Sequence, residues 1–309
     1  IGVRLVGSEM CIRDRPSFVH NFTIKPALYG SLASRWAGVP HIIVTITGLG
    51  YVYVSNSKKS QLLKPMVNVL YRWAMQTPKV RVIFQNPDDQ NLFMDHQFIP
   101  ENRTTIIPGS GVDPNKFYPK SLSSEEKSLK ILVPCRMLWD KGVGDIVEAF
   151  KLLKTNKKVE LLLAGKTIAK NPASIPESQL REWEKEGSIK WLGYVSDMNA
   201  LYNDSDIICL PSYREGLPLS LLEASLCEKA ILTTDVAGCN YLIQNNVNGL
   251  VVPPRSPKEL SQALLQLIED NDLRNRLAQS AREITLDRYT CDSINTQILG
   301  FYKTSQNRI

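Results

Sequence analysis

Pro211-Ser-Tyr-Arg-Glu-Gly-Leu-Pro-Leu-Ser-Leu-Leu-Glu-Ala-Ser225 is the stretch from which the rest of the chain can be read. Upstream, Asp206-Ile-Ile-Cys-Leu-Pro211 is a short apolar run closed by proline, the pattern of a buried strand. Downstream, Leu219, Leu222 and Leu226 recur at helical spacing, and Pro218 suits a first helical position. Strand, loop and helix therefore follow one another. The N–H groups of such a helix start, with the backbone at Gly216 and Leu217, make a place for an anion. Glu215 precedes the helix. Glu223 lies about one and a half turns inside it, with a side chain that leans back toward the N-terminus. Both carboxylates are expected to face the same site. An ionised Glu only accepts hydrogen bonds, so two of them beside an anion site require hydroxyl donors in the ligand. A nucleotide sugar offers phosphates and hydroxyls together.

These residues carry a family resemblance. Pro211-Ser-x-x-Glu-Gly with Pro218 and Glu223-Ala224 resembles the EX7E motif of retaining GT-B glycosyltransferases, in particular glycosyltransferase family 4. Seven residues separate Glu215 from Glu223, as that motif requires. A loop acid and an unrelated helix-surface acid are the plainer account, and the other matching positions weigh against it. The resemblance implies an α/β fold of the GT-B type: two Rossmann-like domains with parallel sheets, the first incomplete, and the donor site on the second.

Composition fits such an enzyme. The chain has 309 residues, 43% hydrophobic and 22% charged, enough length for two domains. A net charge of +6 suits an anionic ligand or an anionic membrane surface. Nucleic acid is not expected as a partner, because no compact basic run interleaves with stacking aromatics. Cys11, Cys135, Cys209, Cys227, Cys239 and Cys291 are scattered without a CxxC pair, and several sit in apolar runs. That usage points to buried free thiols in a reducing, cytoplasmic compartment. No run of about 18 apolar residues is present, so no transmembrane helix is expected.

Strands and helices alternate along the chain, which argues parallel sheets. Residues 1–15 show no sustained period and no signal-peptide core. Val6-Gly-Ser-Glu-Met-Cys-Ile-Arg-Asp-Arg15 looks like translated adapter sequence, so 1–15 is expected to be a non-native leader. Residues 16–118 read as an N-terminal, acceptor-side domain, with strands at 18–20, 41–47, 80–84 and 104–108 and helices at 27–37, 58–77 and 87–94. It is expected to be incomplete, because the opening strand and Gly-rich loop of the family have no counterpart. The helix at 58–77 is expected to break near Pro65. It mixes Lys58, Lys59, Lys64 and Arg72 with Leu62, Leu63, Tyr71 and Trp73. Such a helix either lies on an anionic membrane or buries its apolar face in the domain with its lysines solvated. After Gly109-Ser-Gly-Val-Asp-Pro114 and a polar linker at 120–130, the donor domain is expected over 119–290. Residues 291–309 read as a helix that, in the family, crosses back to the N-terminal domain.

Chemistry outside the central motif falls after other strands. Arg136 and Lys141 lie in Cys135-Arg-Met-Leu-Trp-Asp-Lys-Gly-Val143, similar to the family's Gly-Arg-x-x-x-x-Lys-Gly but with Cys135 where glycine is usual. A diphosphate leaving group gains charge as the glycosidic bond breaks, and fixed cations there supply about 3 kcal/mol per donor by analogy with oxyanion holes. Trp191-Leu-Gly-Tyr-Val195 resembles a strand end whose backbone, at Gly193, Tyr194 and Val195, is implied to hold the nucleotide base; ordinary strand packing explains it as well. Asp235-Val-Ala-Gly238 resembles the loop that approaches the donor sugar, where Gly238 permits close approach. Asp204-Ser-Asp206 has the spacing of a metal motif but is placed to cap a helix and open a strand. No metal and no cofactor are expected. The family's strand-end histidine has no counterpart in Thr45-Ile-Thr47-Gly48, which leaves His20, Thr47 and Gly48 as acceptor-side candidates. His20 reads equally as a structural histidine.

The resemblance thus implies retaining transfer from a nucleoside-diphosphate sugar, a UDP-N-acetylhexosamine, to a glycan or polyprenyl-linked acceptor in bacterial surface polysaccharide synthesis. Catalysis would fall to Glu215, Arg136 and Lys141: the two cations would hold the diphosphate and Glu215 the sugar hydroxyls. Glu223 would hold the ribose. Peripheral contact with an anionic membrane at the inner face of the plasma membrane would follow from a lipid-linked acceptor. A UDP-sugar epimerase of the same fold and an inactive nucleotide-sugar-binding fragment remain open readings.

Overall fold

The computed structural model describes residues 15–48, 53, 58–120, 128–169 and 171–306. These divide into two compact units. One ends at Ser110 and takes in the residues from Ile294 onward; the other is Gly111–Ser293.

The first unit is built on four parallel strands in the order β1 (Phe18–Phe22), β2 (His41–Ile46), β3 (Val80–Phe84) and β4 (Thr104–Ile106). A π-helical turn at Pro26–Gly30 leads into α1 (Ser31–Trp36), and α2 (Lys58–Met75) and α3 (Pro87–Asp95) follow β2 and β3. The two central strands, β2 and β3, are largely apolar on both faces, as parallel strands covered on both sides must be. Ile42, Val44, Ile46, Val82 and Phe84 pack against Tyr71, Phe93 and Phe98. Ile43 and Ile83 pack on the opposite face with Ile294, Ile298, Phe301 and Tyr302 of the C-terminal helix, Cys291–Gln306.

The second unit carries six parallel strands in the order β10-β9-β8-β5-β6-β7. They are β5 (Leu129–Pro134), β6 (Val159–Ala164), β7 (Lys190–Gly193), β8 (Ile207–Leu210), β9 (Ala230–Thr234) and β10 (Leu250–Val252). Helices α4 (Val143–Leu152), α5 (Glu177–Lys185), α6 (Met198–Asn203), α7 (Leu219–Leu226), α8 (Cys239–Leu242), α9 (Pro257–Glu269) and α10 (Asn271–Arg288) connect or follow them. Alternate residues of each strand serve opposite faces. Ile131, Val133, Leu161, Leu163 and Cys209 meet Ile146 and Leu264, whereas Leu132, Leu162, Ile208 and Leu210 meet Tyr202 and Leu222. Chain order steps outward from β5 to β7, returns to the other side of β5 at β8, and steps outward again. The reversal between β5 and β8 is where open parallel sheets bind ligands, beyond the carboxyl ends of the strands.

Several expectations shift. Helix α2 runs unbroken through Pro65. Pro65 lies on the exposed side, while Val67, Leu70, Tyr71, Ala74 and Met75 anchor the helix to the core. Tertiary burial there outweighs one lost backbone hydrogen bond. Pro218 is the residue before α7, with extended backbone (ψ 101°), so the helix opens at Leu219. The division between units falls at 110/111, against an expected 118/119. Val112 explains the difference: its N–H donates to Tyr289 O and its carbonyl accepts from Cys291 N, both within the second unit. At the far end, the expected boundary at 290/291 falls at 293/294. Helix α8 was not anticipated, because four residues are too few to show a period. The leader apart from Arg15, Cys11, Gly50, Tyr51 and linker positions 121–127 lie outside the described residues.

Candidate active site

Because every strand of the second sheet is parallel, the segments after β5, β8, β9 and β7 all emerge at one edge. They carry Arg136 and Lys141, Pro211–Pro218, Asp235–Gly238, and Tyr194–Val195. The first two leave adjacent strands at the topological reversal.

The two loops at the reversal are fastened together. Lys141 Nζ lies 2.6 Å from Glu215 Oε1, and the same oxygen accepts from Ser212 Oγ at 2.7 Å. The backbone adds Tyr213 N to Asp140 O at 2.9 Å. Gly142 is left-handed (φ 67°), and a Cβ there would stand 2.0 Å from Pro211 O. Only glycine allows the Lys141 turn to seat against the motif. The third loop closes in the same way: Glu215 N donates to Ala237 O at 3.2 Å, and a Cβ on Gly238 (φ 80°) would meet Gly216 O at 2.5 Å. Gly216 and Leu217 then carry the backbone into α7.

Arg136 is exposed, and its guanidinium has no ion-pair partner among the described residues. Burial pushes the thiol of Cys135, the departure from the family pattern, up to about 12, with Lys141, Glu215, Asp140 and Arg136 as smaller, partly opposing influences. It is therefore a neutral thiol in physiological conditions. Cys135, Cys209, Cys227, Cys239 and Cys291 are all free.

Glu223, the second acid of the motif, is held separately. Its Oε2 accepts from the Tyr202 hydroxyl at 3.0 Å. Burial raises its proton affinity, and the Tyr202 bond and the Lys116 charge oppose that rise. The two glutamates thus have different partners, one a lysine and the other a tyrosine. Gly193 is left-handed (φ 65°), and its carbonyl accepts from Gly165 N at 2.7 Å. Tyr194 is 69% exposed with Lys166 Nζ 4.5 Å from its ring centre, and Val195 packs partly into the core.

The acidic pair at Asp204 and Asp206 serves structure. Asp206 Oδ2 accepts from Lys130 N at 2.8 Å and Asp204 Oδ2 from Lys130 Nζ at 2.6 Å. In the first unit His20 is engaged through both ring nitrogens, Nδ1 with Tyr302 Oη at 2.6 Å and Nε2 with Thr45 Oγ1 at 2.7 Å. Burial lowers its pKa to about 4, so the ring is neutral near pH 7. Thr47 and Gly48 follow β2, half-buried. Sequence reasoning assigned no role to Ser212 or Tyr202. Ser212 sat within the quoted motif, one strand end from Glu215; nothing in the spacing of Tyr202 marks it as a partner of Glu223.

Known proteins agree with this architecture. Residues 114–284 match the family described as Glycosyl transferases group 1, and residues 9–86 match Glycosyl transferase 4-like. The latter match takes in residues 9–15 of the expected leader. The N,N'-diacetylbacillosaminyl-diphospho-undecaprenol alpha-1,3-N-acetylgalactosaminyltransferase of Campylobacter jejuni is 32% identical over 296 residues, 92% of this chain and 76% of the relative. The UDP-Gal:alpha-D-GlcNAc-diphosphoundecaprenol alpha-1,3-galactosyltransferase of Escherichia coli is 23% identical over 87% of this chain and 70% of its own length. Among solved structures, Anabaena HepE in complex with UDP superposes with a TM-score of 0.81 at 19% identity, covering 96% of this chain and 82% of that one. A glycosyltransferase from Rickettsia africae gives 0.76 at 22% identity, covering 98% and 80%. The fold is that of the GT-B glycosyltransferases, and the extent of the family match makes this chain a member of the group 1, family 4-like glycosyltransferases.

Proposed function

We propose that the chain transfers an N-acetylhexosamine or hexose, with retention, from a UDP donor to a polyprenyl-diphosphate-linked saccharide. The observation that carries this reading is the Lys141–Glu215–Ser212 cluster at the reversal between β5 and β8. Lys141 and the exposed Arg136 would take the diphosphate, and Glu215 the sugar hydroxyls. Glu223 would accept from the ribose, with Gly193, Tyr194 and Val195 beside the base and Gly238 keeping the sugar loop close. In the reaction the bond from C1 to the diphosphate oxygen breaks and a bond from C1 to the acceptor oxygen forms on the same face. The acceptor proton passes to the departing phosphate. The cations stabilise the charge that grows on the leaving group, which removes the need for a metal. The engagement of Asp204 and Asp206 with Lys130 supports a metal-independent reading. The names of the two relatives above, both acting on diphospho-undecaprenol-linked substrates, support the acceptor class.

A lipid-linked acceptor requires access to a membrane surface. No helix among the described residues is long and apolar enough to cross one. Helix α2 offers a surface instead: Leu62, Met66, Val69 and Trp73 recur at helical spacing and all are exposed. Arg72 borders this stripe, a combination that suits the interface of an anionic bilayer.

The test is calorimetric titration with UDP, UDP-N-acetylgalactosamine and UDP-galactose, followed by transfer to a polyprenyl-diphosphate-linked acceptor with NMR of the new anomeric centre. Saturable binding that is lost in Arg136→Ala, and an α-linked product from an α-linked donor, support the reading. Folded protein that binds no UDP sugar would remove it. Binding with interconversion of the free UDP sugar and no transfer would favour the epimerase.

A further inference from the structure

We propose that Tyr213, Asp145 and Arg255 form a clasp that positions the Glu215 loop, with Tyr213 as the positioning residue. The inference rests on the function proposed above and adds to it residues outside the ligand contacts assigned there. Tyr213 stands two positions before Glu215, and segments from three parts of the donor unit converge on it. Its N–H donates to Asp140 O in the loop after β5. Its hydroxyl lies beside the carboxyl of Asp145, in the first turn of α4. Its ring is covered by the Arg255 guanidinium, 3.8 Å from the ring centre, in the segment after β10.

Two features of this cluster cost stability. Arg255 adopts a left-handed backbone (φ 59°), which is uncommon for a residue with a Cβ. Asp145 Oδ2 is buried without a hydrogen-bond partner, and such a group costs about 1–3 kcal/mol. Strain of this kind persists where the surroundings hold it, and it gathers at sites that need fixed geometry. Here it holds the loop at Tyr213, through contacts separate from those that Lys141 and Ser212 make with Glu215. Glu215 is thereby gripped through its own carboxylate and, two residues away, through Tyr213. A displacement of about 1 Å at such a loop costs up to about 100-fold in a positioned interaction. The clasp therefore sets the sugar-binding increment, the factor by which the donor binds more tightly than UDP alone.

The experiment measures calorimetric Kd values for UDP and for UDP-N-acetylgalactosamine with the full chain, together with its thermal midpoint. In Tyr213→Phe and Asp145→Ala the UDP-sugar affinity should fall about tenfold while that for UDP stays within about twofold. Asp145→Asn, which keeps an acceptor for the hydroxyl, should restore most of the increment. The Tyr213→Phe/Asp145→Ala double variant should be no worse than the weaker single, because both break one interaction. An unchanged increment in both single variants would overturn the clasp. So would a parallel loss of UDP and UDP-sugar affinity that tracks a lower thermal midpoint, the mark of a purely structural role. A wild-type chain that binds no UDP at all would overturn the function itself and the clasp with it, an outcome visible before any variant is made.

Discussion

Lys141 Nζ and Glu215 Oε1 meet at 2.6 Å, with the side chains only 12% and 15% exposed, and they belong to loops that leave adjacent strands. The pair neutralises a site that we propose receives a diphosphate. Removing one partner strands a poorly hydrated charge, which costs up to about 3 kcal/mol after allowing for the residual exposure, whereas removing both costs less. Urea denaturation should therefore find Lys141→Met and Glu215→Gln each less stable than the Lys141→Met/Glu215→Gln double variant. Equal or additive losses would show that the pair does not act as a unit.

Glu223 supplies a pH dependence. Burial raises its pKa, and the Tyr202 hydroxyl partly restores it. In its proposed role as a ligand for ribose hydroxyls it would act ionised, so UDP affinity should decline as pH falls through the raised value. Tyr202→Phe should move that decline to higher pH, and Glu223→Gln should flatten it. For stability the sign is opposite: a carboxyl with a raised folded pKa favours the fold below its unfolded pKa and loses that contribution as pH rises through the folded value. Calorimetry and denaturation between pH 4 and about 8 check both directions.

Most of the fold was legible in the sequence. Apolar runs at 129–134, 159–164 and 80–84 coincide with β5, β6 and β3, because strands buried on both faces admit few polar residues. The adjacency of Lys141 and Glu215 was expected only through the family resemblance, since strand order is a long-range property. Tyr202 and Ser212 could not be assigned roles, because a hydroxyl's partner depends on where the next element packs. The apolar face of α2 was legible as amphipathic, yet which face the core takes was not. The core claims Tyr71, Ala74 and Met75, and leaves Leu62 and Trp73 outside.

His20 predicts acid sensitivity in the first unit. Its pKa, lowered to about 4 by burial, lies below that of the unfolded chain. Protonation therefore opposes folding: the stability it contributes is complete above about 6.5 and is lost as pH falls toward 4. His20→Gln should flatten the thermal midpoint over this window. Tyr302→Phe should lower the midpoint at neutral pH, because Nδ1 loses its partner on the C-terminal helix. An unchanged pH profile in His20→Gln would remove the ring from the account.

The exposed stripe on α2 makes the membrane prediction quantitative. Leu62 is 81% and Trp73 49% exposed, so replacing them costs little in the folded protein. Inserted into an interface, each would gain up to about 1.5–3 kcal/mol on full burial, and less at partial depth. Leu62→Ser and Trp73→Ser should each weaken binding to vesicles containing anionic lipid by about tenfold, leaving UDP affinity and the thermal midpoint unchanged. Arg72→Gln should weaken binding mainly at low salt, since its charge is screened at high ionic strength. Vesicle sedimentation over a salt series separates the two contributions. Equal binding of wild type and Leu62→Ser would place the membrane contact elsewhere on the chain. Binding insensitive to both anionic lipid and salt would leave Arg72 with only its structural bond to His96 O.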